Sequence, residues 1–237
     1  MADLEALGAY TAAAVRNAEA PSLEAGEPLM REAAAALAEV AKEHLARQPG
    51  RVLVLAGAGG NGGDALFAAA KIAAVADVDI VLTSDRVHRE ALAAALEAGG
   101  TLHHATEVSA AGTYALVLDG ILGIGASADP RLRGIGRAVV EALVPVAASA
   151  ETTVIAVDLP SGLHPDDGSA DEAVLPADIT VTFGAIKAGL VRGRGPELAG
   201  EIHVVDLGLG PALARARAAV TGPLPAIRIP RRVSASR

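Results

Sequence analysis

The sequence predicts an α/β fold of three layers, helices on either side of a mostly parallel central sheet. Three observations carry this. Short apolar runs of strand length alternate with longer segments of helical periodicity. The apolar runs lead into glycine or aspartate, as strands do where they feed loops at one sheet edge. Half of the chain is apolar but only 2% is aromatic, so the core must be built from Ala, Val, Leu and Ile.

The elements follow in order. Gly26 to Arg47 places Leu29, Met30, Ala33, Leu37 and Val40 on one helical face, and Pro49-Gly50 stops that helix. RVLVLA (Arg51 to Ala56) reads as a strand covered on both faces. A helix is expected from Asp64 to about Val75, a second strand over Val78 to Leu82, and its helix over Arg86 to Ala98. ALVLD (Ala115 to Asp119) is a further strand. Arg133 to about Ala147 is helical, with Pro145 as a possible early stop. TVIAVD (Thr153 to Asp158), DITVTF (Asp178 to Phe183) and EIHVVD (Glu201 to Asp206) complete the strands, the last two joined by a glycine-rich connection. Strand–helix alternation of this kind gives a three-layer αβα Rossmann-like sandwich. Residues 1–227 form one domain, and 228–237 form a basic, disordered tail.

Composition excludes several classes. The net charge of -8 disfavours polyanion binding, and the scarcity of aromatics removes the stacking platforms of single-strand binders, so no nucleic-acid partner is expected. With no cysteine there is no disulfide, thiolate nucleophile or cysteine-bound zinc. The N-terminus lacks a positive signal region and no long uncharged apolar stretch spans a membrane, so the expected location is cytoplasmic.

Function should lie after the strands. GAGGNGGD (Gly57 to Asp64) follows the first strand of the alternation, and its glycines let the backbone approach a ligand at a helix N-terminus. Gly57, Gly59 and Gly62 satisfy G-x-G-x-x-G, but no firm acid closes the next strand and no Walker lysine follows. Asp64 reads as a helix cap, and Asn61 offers an oxygen to a cation or a ribose. Asp119 opens a second glycine loop with Gly123 and Gly125, which suits a ligand with two phosphates. Asp158 heads DLPSG, where Ser161 lacks the G-x-S-x-G context of a nucleophile. Asn61, Asp119 and Ser161 bring three oxygen donors to one sheet edge, and with one carboxylate among them they suit a hard monovalent ion. Lys187, in GAIKAGL, either pairs with phosphate, acts as an acid, or is merely solvated.

Taken together, these segments resemble the N-terminal YjeF family, the NAD(P)H-hydrate epimerases. The resemblance runs from about residue 10 to 210 through LMREAAAALA, GAGGNGGD, DGILGIG, VDLPSGLHPDDG, TVTFGAIKAGL and GEIHVVDLGL. Two positions depart from the family pattern: Gly60 replaces the first Asn of G-x-G-N-N-G-G-D, and Ile186 replaces a common Pro. The resemblance implies an isomerase that interconverts the R and S epimers of hydrated NADH or NADPH for cofactor repair. It implies one K⁺ on Asn61, Asp119 and Ser161. It implies a dinucleotide held by Gly60, Asn61, Gly62, Gly63 and Asp64, by Gly123, Ile124, Gly125, Ala126, Ser127, Ala128 and Asp129, and by Asp158. A homodimer and a separate NAD(P)H-hydrate dehydratase are the implied partners. For the chemistry at C6 of the hydrated nicotinamide, Asp158 is the acid–base candidate and Lys187 its assistant. Two other classes stay open at this point: an NAD(P)-dependent oxidoreductase, and a non-catalytic binding or scaffold module of the same fold.

Overall fold

The computed structural model describes residues 8–107, 114–125, 129–149, 151–221, 224 and 227–228. The chain opens with strand β1 (Ala9–Tyr10) and helices α1 (Ala12–Glu24) and α2 (Leu29–Leu45). The alternating part follows: β2 (Arg51–Ala56), α3 (Gly60–Ile72), β3 (Val78–Leu82), α4 (Arg89–Glu97), β4 (Thr101–His103), β5 (Tyr114–Gly120), α5 (Gly134–Ala147) and β6 (Thr153–Val157). The remainder is β7 (Ile179–Phe183), β8 (Ile186–Lys187), α6 (Gly195–Leu198), β9 (Glu201–Val205), α7 (Gly210–Leu213) and β10 (Ile227–Arg228).

The main sheet has the order β10-β9-β7-β6-β5-β2-β3-β4, and every pairing within it is parallel. Side chains alternate between its faces. Val52, Val54, Leu116 and Leu118 pack with α2 and α3 on one side. Leu53, Leu55, Val117 and Val154 pack with Val139, Val140 and Leu143 of α5 on the other. The expected three-layer sandwich is thus present, with an aliphatic core.

From β2 the chain steps outward to β3 and β4, then crosses back to place β5 on the opposite side of β2. The β2/β5 boundary is therefore the topological switch point, where a crevice opens beyond the strand ends. Register aligns this edge: Ala56 lies beside Gly120, Asp119 beside Ala156, and Val157 beside Val181.

Several boundaries move for physical reasons. Helix α3 begins at Gly60, not near Asp64, because the glycines pack the helix onto the strand end. A Cβ on Gly62 would lie 2.1 Å from the carbonyl oxygen of Gly57. Helix α4 begins at Arg89, where the His88 ring accepts from Ala91 N at 3.2 Å. Helix α5 runs past Pro145 to Ala147, since a proline so near the end removes only one helical hydrogen bond. Helix α1, weakly periodic and alanine-rich, is capped by Thr11, whose hydroxyl accepts from Ala14 N. Arg228, placed at the start of the tail by sequence, lies in β10 beside His203, and 229–237 fall outside the described residues.

Candidate functional site

The α3 start, the loop after β5 and the loop after β6 converge at the switch point. Asn61, in the first turn of α3, is almost wholly buried and donates from Nδ2 to the carbonyl oxygens of Leu122 and Val157. One side chain therefore ties the β5 loop to the end of β6. A Cβ on Gly123 would strike Asn61 Oδ1 at 2.1 Å, so glycine is what lets that loop close on the amide.

Asp119 and Ser161 are both 0% exposed. Asp119 Oδ2 accepts from Ser161 N at 2.8 Å, and Oδ1 accepts from Ile121 N at 3.4 Å. Ser161 Oγ accepts from Leu122 N at 2.9 Å. Asn61, Asp119 and Ser161 are thus gathered around Leu122. Burial pushes the Asp119 carboxyl up, against the hydrogen bonds from Ser161 and Ile121. Among the described residues it has no cationic side chain as a partner.

Asp158 follows β6 directly and has φ of 70°, the one positive φ among the described non-glycine residues. Such a conformation costs about 1 kcal/mol or more and persists only where surroundings enforce it. Here the enforcement is visible. Asp158 N donates to Val181 O at 2.8 Å, while Oδ1 accepts from Phe183 N, Thr182 Oγ1 and Lys187 Nζ. Lys187 is 0% exposed and also donates to Phe183 O at 2.7 Å. It is not a solvated lysine but the buried counter-ion of Asp158. Strand β8 holds it, pairing Lys187 with Tyr10 of β1.

Asp64 differs from its expected role. Helix α3 starts at Gly60 with Gly59 as its cap residue, so Asp64 sits in the second turn and does not cap. Its carboxyl is buried and driven well above the usual carboxylate range, first by desolvation, then by the charges of Asp158 and Glu19, with Lys187 opposing. Glu19 of α1 is half-buried, and its carboxyl is also raised, by burial foremost. Sequence reading missed Glu19 and Arg16, which donates to Ile124 O. The signal was present: charged residues in an otherwise alanine-rich stretch behind a threonine cap.

Two adjoining cavities extend the crevice. One, of about 410 Å³, is lined by Gly59, Gly60, Asn61, Gly123, Gly125 and Arg86, among others. The next, of about 270 Å³, lies over the end of β3, and Ala58, Ile121 and Leu122 border both. Gly60 is exposed, with no atom within 4 Å of where its Cβ would be. Gly62, Gly63 and Asp64 are buried behind it. Asp129 lines the second cavity, whereas Ala126, Ser127 and Ala128 lie outside the described residues.

A parallel sheet with a switch-point crevice and a glycine-packed helix start defines a Rossmann-like α/β protein. The particular family is shown by comparison: the profile described as "YjeF-related protein N-terminus" matches residues 26–189, and the chain belongs to that family. It is 62% identical to a protein of Microbacterium testaceum named NAD(P)H-hydrate epimerase, over 94% of this chain and 88% of that one. A Clavibacter michiganensis protein of the same name is 52% identical, over 84% and 90%. The bifunctional NAD(P)H-hydrate repair enzyme Nnr of Mycobacterium leprae is 39% identical over 84% of this chain, which spans 41% of that longer protein. The crystal structure of yeast ynu0 superposes with a TM-score of 0.66 at 17% identity, covering 77% of this chain and 83% of that one, and shares the fold.

Proposed function

We propose that this chain is an NAD(P)H-hydrate epimerase, interconverting the R and S forms of hydrated NADH and NADPH. The observation that carries the reading is the strained, buried Asp158–Lys187 pair at the end of β6, next to Val157, whose carbonyl is bonded by the crevice residue Asn61. The names of the relatives at 62% and 52% identity point to the same activity. An oxidoreductase reading is not supported by the names of these relatives, which are epimerases and hydrate-repair enzymes.

Inversion at C6 requires a proton for the departing hydroxyl and an acceptor for the proton of the water that re-adds from the other face. Loss of water leaves an iminium between N1 and C6, and re-addition restores the hydrate with opposite configuration. Asp158, oriented by Lys187, Thr182 and Phe183 N, serves as the acceptor. Lys187, whose Nζ bonds Asp158 Oδ1, assists that transfer. The open wall at Gly60 and Gly125 admits the pyrophosphate, with the exposed Arg86 beside it.

Asn61, Asp119 and Ser161 are proposed to hold K⁺. A buried carboxylate without a cationic partner, amid hydroxyl, amide and carbonyl oxygens, fits a hard ion of low charge. When bound, K⁺ would neutralise charge at Asp119 and beside the phosphates. The chain is further proposed to act as a homodimer in the cytoplasm, feeding a separate NAD(P)H-hydrate dehydratase. In support, the bifunctional relatives are named for NAD(P)H-hydrate repair, and no described helix is long and apolar enough to cross a membrane.

The test couples the chain to an epimer-specific dehydratase supplied with both epimers of hydrated NADPH. Consumption of the unfavoured epimer above its spontaneous rate supports the reading. A rate equal to background removes it.

A further inference from the structure

The second cavity, beyond the β3 end, is not needed for chemistry at Asp158, yet two arginines, Arg131 and Arg133, line it. From β7 across β6, β5 and β2 to β3 the edge spans about 19 Å at the usual strand spacing, room for a dinucleotide laid across the strand ends. If the nicotinamide lies at Asp158, the adenosine half reaches this cavity. In sheets of this kind the residue after the second strand reads the adenosine ribose: an acid binds a free 2′-hydroxyl, and arginine accommodates a 2′-phosphate.

Here no acid stands at that place. Asp85, the nearest acid after β3, lines neither cavity. The wall instead carries Ser84, Asp129, Arg131 and Arg133. Arg131 takes both Asp129 oxygens, with Nε and Nη2 at 2.9 Å, and Arg133 Nη2 reaches Oδ2. Two guanidinium groups against one carboxylate leave one positive charge. Each guanidinium also has five N–H donors, more than these contacts use. Ser84 Oγ accepts from Arg86 N at 3.2 Å, which leaves its own proton to donate. Asp129 fixes the two arginines, and Ile121 and Leu122 give an apolar floor for a base.

The geometry points to an adenosine 2′-phosphate subsite formed by Ser84, Arg131 and Arg133, so that the 2′-phosphorylated hydrate is the preferred substrate. The inference rests on the dinucleotide reading of the crevice. It does not depend on the epimerase chemistry.

The test separates the two. Adenosine 2′,5′-bisphosphate and 5′-AMP are titrated calorimetrically into the purified chain and into the R131A/R133A variant. Both arginines are exposed, so the variant is expected to fold, and its melting temperature checks this. The bisphosphate is expected to bind about tenfold tighter or better, the scale of one charge-assisted hydrogen bond. That advantage should fall below about threefold in the variant. Equal binding of the two nucleotides, no binding of either, or an advantage that survives in the variant overturns the subsite. A Ser84→Ala variant, which keeps both arginines, should lose part of the advantage. Failure of the coupled epimerase assay would count against the proposed function and leave this comparison intact.

Discussion

Lys187 Nζ contacts Asp158 Oδ1 in a place where neither residue meets bulk water, and both also bond to Thr182. Removing one partner leaves the other charge buried alone. Lys187→Met should therefore cost about 3–5 kcal/mol of stability, read by urea denaturation. Asp158→Asn should lower the epimerisation rate by about 10²- to 10⁴-fold. An Asp158→Asn protein with the full rate would end the catalytic assignment.

Asp64 gives a pH signature. Its folded-state carboxyl is raised, so between the ordinary carboxylate range and the raised value the folded protein binds more protons than the unfolded chain. Stability on this account is fullest below the ordinary value and declines as pH rises through that interval. Asp64→Asn should flatten the decline in a series of melting curves. A pH slope unchanged by the substitution would show that Asp64 is not its source.

The cation proposal predicts a salt-specific stabilisation. At a hundred times its dissociation constant, a bound ion adds about 2.7 kcal/mol. The melting temperature should rise in KCl above that in NaCl at equal ionic strength, and Asp119→Asn should abolish the difference. Identical melting in both salts, with and without Asp119, would argue that no selective site exists.

Neighbouring glycines should respond oppositely. Gly62→Ala forces a Cβ against the Gly57 carbonyl and should cost about 1–3 kcal/mol. Gly60→Asn meets open space and should leave stability within about 0.5 kcal/mol. By restoring the family's amide at the cavity wall, it is expected to lower KM for the hydrated dinucleotide. A raised KM would mean that the open wall itself serves binding.

Much of this was legible in the chain. Strand β2 was readable to the residue, because an unbroken apolar run between a charged start and a glycine admits little else. Asp119, Asp158 and Ser161 were legible as neighbours because the ends of adjacent parallel strands share one edge. Glu19 was not found, since α1 is brought to the site by tertiary contacts, among them the pairing of β1 with β8 and the bond from Arg16 to Ile124 O. Asp64 was misread as a cap because glycines suggest loop, while here they allow helix α3 to start against the strand end.

By itself, the sequence determined the layered fold, the aliphatic core and the oxygen-bearing residues at the strand ends, because periodicity and local turn chemistry are written in neighbouring positions. Tertiary structure alone decided that Lys187 is buried against Asp158, that Asn61 bridges two loops, and that Asp64 stands desolvated near both charges. Those facts depend on which distant segments exclude water from one another, and burial of that kind has no local signature.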